Sequence, residues 1–235
     1  MKPADLLFTQ GFGTRRECAA LVASGCLDVE GAGVIDDFER ELDVADELWF
    51  RVRGGPRWPY RKRALVVMNK PAGYECSQKP RHHTSVYSLL PAPLRQRGVQ
   101  AIGRLDEDTT GVLLFTDDGT LVHRLTSPKH HVAKVYEVTC KHAVDAGQVD
   151  RLRAGVLLHD DNETVRAAAC EATGERALRL TLVEGKYHQV KRMVAAVGNR
   201  VEALERSAFG PVRVDGLAGG EWRWLDADRE FAAQR

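Results

Sequence analysis

The sequence is poor in long apolar stretches. Nowhere in its 235 residues does a run approach the roughly 18 apolar residues that a membrane-spanning helix requires. The N-terminal residues MKPADLLF also lack the basic flank and the apolar core of a secretory signal. These absences lead us to expect a cytoplasmic protein with no membrane partner.

Cysteine is scarce and follows no pattern. The five cysteines are odd in number and include no CxxC pair: Cys18, Cys26, Cys76, Cys140 and Cys170. This distribution argues against a disulfide framework and a zinc site, and it predicts small buried or half-buried thiols. The chain also lacks a GxxxxGK loop, which argues against the P-loop class of nucleotide-binding proteins.

The net charge of +1 conceals an uneven distribution along the chain. Residues 1–50 contain four Lys or Arg against eleven Asp or Glu, whereas residues 51–140 contain fifteen against seven. The basic part opens with RVRGGPRWPYRKR at residues 51–63, which also holds Trp58 and Tyr60. Such a segment suits a phosphate backbone, with aromatic rings to stack on bases. A solvated linker is the alternative.

Glycine and proline mark a boundary at residues 54–63. The predicted organisation is a front module at 1–55, a basic linker at 56–63 and a main domain at 64–235. In the front module Thr14 is the predicted N-cap of a helix that stops at Gly25. The LDV and ELWF runs are predicted strands.

The main domain alternates short β-rich runs with helical patterns, which predicts a mixed α/β fold. Strands are expected at 64–70 and 176–182. Apolar residues then recur at helical spacing before Gly198, which predicts a helix that ends there. Those apolar residues are Val190, Met193, Val194 and Val197.

The segment AIGRLDEDTTGVLLFTDDG at residues 101–119 sets three acids before an apolar run. Asp106, Glu107 and Asp108 precede Thr109–Gly111, which has turn chemistry, and a predicted strand at 112–116. A loop that leads into a buried strand is a common mount for a reactive carboxylate. The residues alone do not choose among the three acids.

Four segments of the chain resemble the motifs of pseudouridine synthases. They are NKPAGYECS at 69–77, GRLDEDTTG at 103–111, KVYEVT at 134–139 and EGKYHQVKRM at 184–193. The resemblance is to the branch that modifies ribosomal RNA, and within it to the synthases of the small subunit. It covers residue 64 to the end and, more weakly, the first 55 residues.

The resemblance implies an α+β fold with a large, mostly antiparallel central sheet, flanking helices and a cleft along the middle of the sheet. It also implies that the front module is S4-like and binds RNA, although its excess of acids departs from the usual basic pattern.

The resemblance implies a chemistry that needs no cofactor and no metal. Asp106 matches the aspartate that acts on the base at C6 or on the sugar; both remain open. A pocket that excludes water raises the pKa of a carboxylate, and a nearby cation offsets this. Lys191 matches that cation and is predicted to pair with Asp106. Tyr136 matches the tyrosine that lies against the base.

The implied partner is 16S ribosomal RNA, alone or in a partly assembled small subunit, with uridine 516 as the target and the protein as a monomer. Arg104 is predicted to enter the space that the flipped base leaves. The other predicted RNA-binding residues are Arg15, Arg16, Arg61, Lys62, Arg63, Lys70, His188 and Arg192.

Three alternatives stay open. Asp106 and Asp108 also form a DxD pair, which in another enzyme class holds Mg²⁺ for nucleotidyl or glycosyl transfer. A noncatalytic ribosome-assembly factor would use only the front module and the basic segment. A synthase that acts on 23S ribosomal RNA would share nearly the same motifs.

Overall fold

The computed structural model describes residues 1–44, 48–158 and 162–232. The chain forms two compact units. The first contains Met1–Ala64 and Leu90–Val99, and the second contains Leu65–Leu89 and Gln100–Arg235. Within the described ranges, every helix is too short or too polar to cross a membrane.

The first unit is a small sheet with three helices. Its helices are α1 (Pro3–Thr9), α2 (Arg15–Ala23) and α3 (Ala92–Gln96), and its strands are β1 (Leu27–Val29), β2 (Gly33–Ile35), β3 (Trp49–Val52) and β4 (Trp58–Pro59). The sheet order is β2-β1-β3-β4. The N-cap prediction is confirmed: the Thr14 hydroxyl accepts a hydrogen bond from the Glu17 N–H, and the Glu17 carboxylate accepts one from the Thr14 N–H.

The front of the chain departs from the predictions in two places. The LDV strand is β1, but the predicted ELWF strand begins at Trp49, and Glu47 lies outside the described residues. The predicted linker contains β4, in which Trp58 is buried with its ring 5.4 Å from that of Phe12. The expectation that Trp58 stacks on RNA bases is therefore wrong, because its indole belongs to the core of this unit.

The second unit holds the larger sheet. Its strands are β5 (Leu65–Lys70), β6 (Tyr74–Glu75), β7 (Thr84–Ser85), β8 (Gln100–Ile102), β9 (Thr110–Thr116), β10 (Lys134–Cys140), β11 (Val156–Leu158), β12 (Glu163–Val165), β13 (Ala169–Gly174), β14 (Ala177–Leu182), β15 (Val201–Phe209) and β16 (Trp222–Trp224). Its α-helices are α4 (Gly119–Thr126), α5 (Ala146–Ala154), α6 (Gln189–Ala196) and α7 (Ala227–Glu230). Short 3₁₀ helices occur at Val86–Leu89 and Pro128–His130.

Eight strands form the central sheet of this unit. Seven of them lie in the order β13-β14-β10-β15-β9-β5-β16, and β8 pairs with β9. Neighbouring strands run antiparallel except β15 and β9, which are parallel. The prediction of an α+β fold with a large, mostly antiparallel sheet is confirmed.

Strands β5 and β9 are buried on both faces, which explains their continuous apolar sequences. Leu65 and Val67 pack with Leu121 and Leu125 of α4 in one hydrophobic cluster. Strand β14 instead alternates between buried and more exposed side chains, as its period of two predicts. The cysteine prediction is also met: Cys18, Cys140 and Cys170 are buried, and Cys26 and Cys76 are half-buried.

Gly111 lies inside β9 and not in the turn that the sequence predicts. It has a φ of +99°, and a Cβ at this position would lie 2.3 Å from the carbonyl oxygen of Arg206. Glycine is therefore required for the close parallel pairing of β9 with β15. This pairing fixes the acidic loop before β9 beside the middle of the sheet.

Candidate active site

The three acids of the sequence occupy the loop between β8 and β9. The loop closes on itself through a hydrogen bond of 3.2 Å from the Thr109 N–H to the Asp106 carbonyl. Lys70, at the end of β5, stabilises this loop through hydrogen bonds to main-chain carbonyls. The Lys70 ammonium donates to the carbonyls of Glu107 at 3.0 Å and Thr109 at 2.9 Å, and to that of Pro71 at 3.0 Å. These bonds hold the backbone that carries Asp106.

The expectation that Lys70 contacts RNA is wrong. Its side chain is fully buried, and its hydrogen-bonding protons are directed to main-chain carbonyls. Burial lowers the pKa of Lys70, partly offset by the charges of nearby acids such as Glu107. Lys70 is therefore a positioning residue for the acidic loop.

Lys191 of α6 joins two of the acids. Its Nζ lies 3.2 Å from Oδ2 of Asp106, the pairing that the sequence predicts. It lies closer still to Asp108, at 2.7 Å from Oδ1 and 2.8 Å from Oδ2. Burial by itself raises the pKa of Asp108, but the hydrogen bond and charge of Lys191 outweigh it, and the net pKa is lowered. Burial would lower the pKa of Lys191, but the two carboxylates raise it overall.

His188 forms the other side of the Asp106 carboxylate. Its Nε2 lies 3.3 Å from Oδ1 of Asp106, while Lys191 approaches Oδ2. The backbone of His188 is left-handed, with a φ of +47°, at the N-cap of α6. Its ring stacks on Tyr187 at 3.8 Å, and Tyr187 is 68% exposed. The imidazole of His188 thus contacts the Asp106 carboxylate and also stacks on the exposed ring of Tyr187.

Tyr136 and Asp106 line the same cavity. Tyr136 lies in β10, where it pairs with Leu180 of β14 and Arg206 of β15, and its side chain is buried. The cavity is also lined by Lys191. The structure therefore brings together the three residues that the sequence assigns to catalysis, although they come from a loop, a strand and a helix.

The predicted RNA-binding arginines and lysines are dispersed. Arg104 is exposed at the rim of the Asp106 cavity. Arg192 donates to the carbonyl of Tyr187 at 3.2 Å. The rest lie in the first unit, where Arg15 pairs with Asp5, Arg61 is half-buried, and three side chains are exposed: Arg16, Lys62 and Arg63.

The sequence did not indicate that Asp108 is the nearer partner of Lys191. It did contain a related signal, because Asp106 and Asp108 stand two residues apart in RLDED. The same arrangement disfavours the magnesium alternative, since the Lys191 ammonium lies between the two carboxylates. Throughout the described ranges, no three His, Cys, Asp or Glu side chains are grouped to hold a metal ion.

The arrangement suits a carboxylate that acts as a nucleophile or a base. Two cationic or hydrogen-bonding groups, Lys191 and His188, fix the two oxygens of Asp106. A nucleophilic carboxylate must be ionised and held within reach of its target, and both groups serve this purpose.

Known proteins are similar to this chain in sequence. The family described as RNA pseudouridylate synthase matches residues 64–196. Ribosomal small subunit pseudouridine synthase A of Salmonella typhimurium is 44% identical over 180 residues, which cover 76% of this chain and 74% of the relative. The uncharacterized RNA pseudouridine synthase YtzG of Bacillus subtilis is 40% identical over 230 residues, with coverage of 96% and 95%.

A solved structure agrees with the sequence relatives. The crystal structure of a pseudouridylate synthase superimposes with a TM-score of 0.67 at 31% identity and covers 97% of both chains. The family match spans the loop of Asp106, the strand of Tyr136 and the helix of Lys191. The chain belongs to the RNA pseudouridylate synthase family, as its four motifs predicted.

Proposed function

We propose that the protein converts one uridine of 16S ribosomal RNA to pseudouridine, with Asp106 as the reacting carboxylate. The observation that carries this proposal is the placement of Asp106 between Lys191 and His188, in one cavity with the buried Tyr136. The 44% identity to a relative named for the small ribosomal subunit supports the choice of RNA.

The reaction is an isomerisation that this set of residues can perform without a group donor. The glycosidic bond between N1 and C1′ breaks, the uracil turns within the cavity, and C5 joins C1′. N1 gains a proton and C5 loses one, so atoms and charge balance. Asp106 acts at C6 or at the sugar, and Lys191 stabilises its ionised form. Tyr136 lies against the base and assists removal of the C5 proton.

The target we propose is uridine 516, in naked 16S RNA or a partly assembled small subunit. A base must leave its stack to reach a cavity of this kind, which costs a few kcal/mol. Arg104 is exposed at the rim, and its planar guanidinium is suited to fill the space left behind. A protein with this target acts in the cytoplasm, where ribosomal RNA is made.

We also propose that residues 1–55 form an S4-like module that docks RNA as part of a monomer. Helix α2 begins at Arg15 and Arg16, both exposed. Lys62 and Arg63 add exposed positive charge in the same unit, and Arg61 is half-buried beside them. Contacts of this type position a protein on RNA without reading sequence. Residues 64–235 then form the catalytic domain, except that Ala64 and Leu90–Val99 belong to the first compact unit.

The experiment is incubation of the purified protein with deproteinised 16S RNA, partly assembled small subunits and 23S RNA, followed by chemical labelling of pseudouridine. We expect labelling of 16S RNA or its assembly intermediate, with EDTA present or absent. Labelling of 23S RNA alone would transfer the activity to the large subunit. Activity that EDTA abolishes would favour a metal-dependent site, and binding without any product would favour an assembly factor.

A further inference from the structure

A second cavity adjoins the Asp106 cavity and has no part in the steps described above. Its volume is about 250 Å³, and Arg104 and Tyr136 line both cavities. The second cavity also contains Lys134, Arg206 and Glu184 in its wall. Since the two cavities share these wall residues, a group in the second cavity lies next to whatever occupies the first.

Arg206 is a buried, positively charged residue in the wall of this cavity. Its side chain is 2% exposed, and its Nε donates to the Val112 carbonyl at 2.8 Å. Its Nη2 is buried and has no hydrogen-bond partner among the described residues. A buried guanidinium with an unused N–H is costly, so its presence in a cavity wall points to a missing acceptor.

Lys134 adds a second cation to the same wall. Its Nζ donates to the Val132 carbonyl at 3.0 Å and lies 5.3 Å from the centre of the Phe209 ring. The guanidinium carbon of Arg206 lies 5.3 Å from the same ring. Burial, and after it the charge of Arg206, lower the pKa of Lys134 to about 8, with Glu184 opposing both effects. The two cations thus repel each other in a shared, partly desolvated space.

The remaining charges of the cavity do not cancel this excess. Glu184 is the acidic residue in the lining of the second cavity. Its Oε1 accepts a hydrogen bond of 2.6 Å from the side-chain amide of Gln189. Lys186 pairs with Glu163, which is not part of the wall. Arg104 contributes a further positive charge at the rim. The lining of the cavity therefore carries an excess of positive charge, which favours an anion over a cation.

We propose that this cavity binds a phosphodiester of the RNA backbone adjoining the target uridine, with Arg206 and Lys134 as its cationic contacts. The proposal rests on the proposed function, because a uridine in the Asp106 cavity brings its own flanking phosphates to the neighbouring space. The phosphate supplies the acceptor that Arg206 lacks. Its binding places the ribose of the target at a fixed distance from Asp106.

The test pairs a change in the RNA with a change in the protein. A target RNA fragment carries one uncharged methylphosphonate, at the linkage 5′ or 3′ of the uridine, and its Kd is measured with the parent protein and with Lys134→Met. We expect one of the two linkages to weaken binding to the parent by about tenfold, the size of a charge-assisted hydrogen bond. The same linkage should weaken binding of Lys134→Met by clearly less than it weakens binding of the parent, because only the Arg206 contact is left.

Lys141→Met is the matched control, because Lys141 is an exposed lysine just beyond the other end of β10. It should respond to the methylphosphonate as the parent does. Arg206→Lys provides a second variant that keeps the charge and should preserve most of the sensitivity. Equal losses in the parent and in Lys134→Met would overturn the proposal.

A second measurement does not depend on the identity of the RNA target. Inorganic phosphate is titrated into the protein while the ammonium resonance of Lys134 is followed by NMR. Lys134→Met, which lacks this resonance, identifies it in the spectrum. A saturable shift of the resonance in the parent and in Lys141→Met supports an anion site even if no pseudouridine is formed, and the absence of a shift contradicts one. Phosphate binding combined with no sensitivity to either methylphosphonate would identify a site for free anions and contradict the RNA contact.

Discussion

The ammonium of Lys191 lies 2.7 Å from Oδ1 of Asp108 and 3.2 Å from Oδ2 of Asp106, so Asp108 is its nearer partner. Asp108 is the more exposed of the two carboxylates, and it does not line the cavity that Asp106 shares with Tyr136. Asp108 therefore holds Lys191 in position, and Lys191 in turn faces the reacting carboxylate.

This relationship predicts a graded effect of mutations in the acidic loop. Asp108→Asn keeps the shape of the side chain and removes the charge that orients Lys191. We expect kcat to fall by about tenfold or less, since a partly exposed ion pair contributes about 1 kcal/mol or less. Glu107→Gln, a neighbouring acid outside this ion pair, is the control. A loss as large as that of Asp106→Asn would make Asp108 the reacting residue.

Lys191 itself should matter more than its outer partner. Lys191→Met keeps the apolar stem and leaves both carboxylates without their shared cation. We expect kcat to fall by about 10², the scale on which removal of one electrostatic contact acts in a catalytic site. Lys191→Arg should retain part of the activity, because the charge survives with a different geometry. Single-turnover rates that do not differ between the parent and Lys191→Met would dismiss the ion pair.

Lys70 should act on the chemical step from a distance. Lys70→Met leaves three main-chain carbonyls of the loop region without their donor, which should lower the free energy of unfolding by about 2 kcal/mol. It should also lower kcat with little change in KM, because the Asp106 backbone loses its support. Urea unfolding and steady-state kinetics measure the two effects. Lys79→Met, at an exposed lysine, should change neither.

RNA binding should depend on pH through the ionisation of Lys134. Its pKa of about 8 in the free protein means that part of the population is uncharged near that pH. A bound phosphodiester would favour the ammonium and raise this pKa, so RNA binding near pH 8 should take up a proton. The positive charges of Arg206, Arg104 and Lys186 oppose protonation of Lys134, and the negative charge of Glu184 favours it. These four residues line the cavity both in the free protein and in the RNA complex, so the change in the pKa of Lys134 on binding comes from the phosphodiester.

Calorimetry in two buffers of different ionisation enthalpy measures this proton uptake. We expect it in the parent and in Lys141→Met, and we expect it to disappear in Lys134→Met. We also expect RNA affinity to weaken as the pH rises through about 8 in the parent, with a flatter profile in Lys134→Met. Uptake that persists in Lys134→Met would assign the proton to another group.

The sequence predicted the parts of the site that local pattern and motif determine. Helical spacing located α6 and its buried residue Met193, and the capping residues located α2. The motifs named Asp106, Tyr136 and Lys191, which the structure places in one cavity.

The rest depended on contacts between strands that are distant in sequence. Lys70 looks exposed in a basic turn, yet the pairing of β5 with β9 buries it under the acidic loop. Gly111 looks like a turn residue, yet β15 packs against it. Arg206 and Trp58 are buried for the same reason, because tertiary packing overrides the average preference of a residue type for the surface.

The most direct test of the central claim is the mapping of pseudouridine in ribosomal RNA from cells that lack this gene. The deletion strain carries either the parent gene or the Asp106→Asn gene, expressed at equal levels. We predict that pseudouridine at position 516 of 16S RNA is lost on deletion, restored by the parent and not restored by Asp106→Asn. A 16S modification that survives the deletion, or that Asp106→Asn restores, would contradict the account.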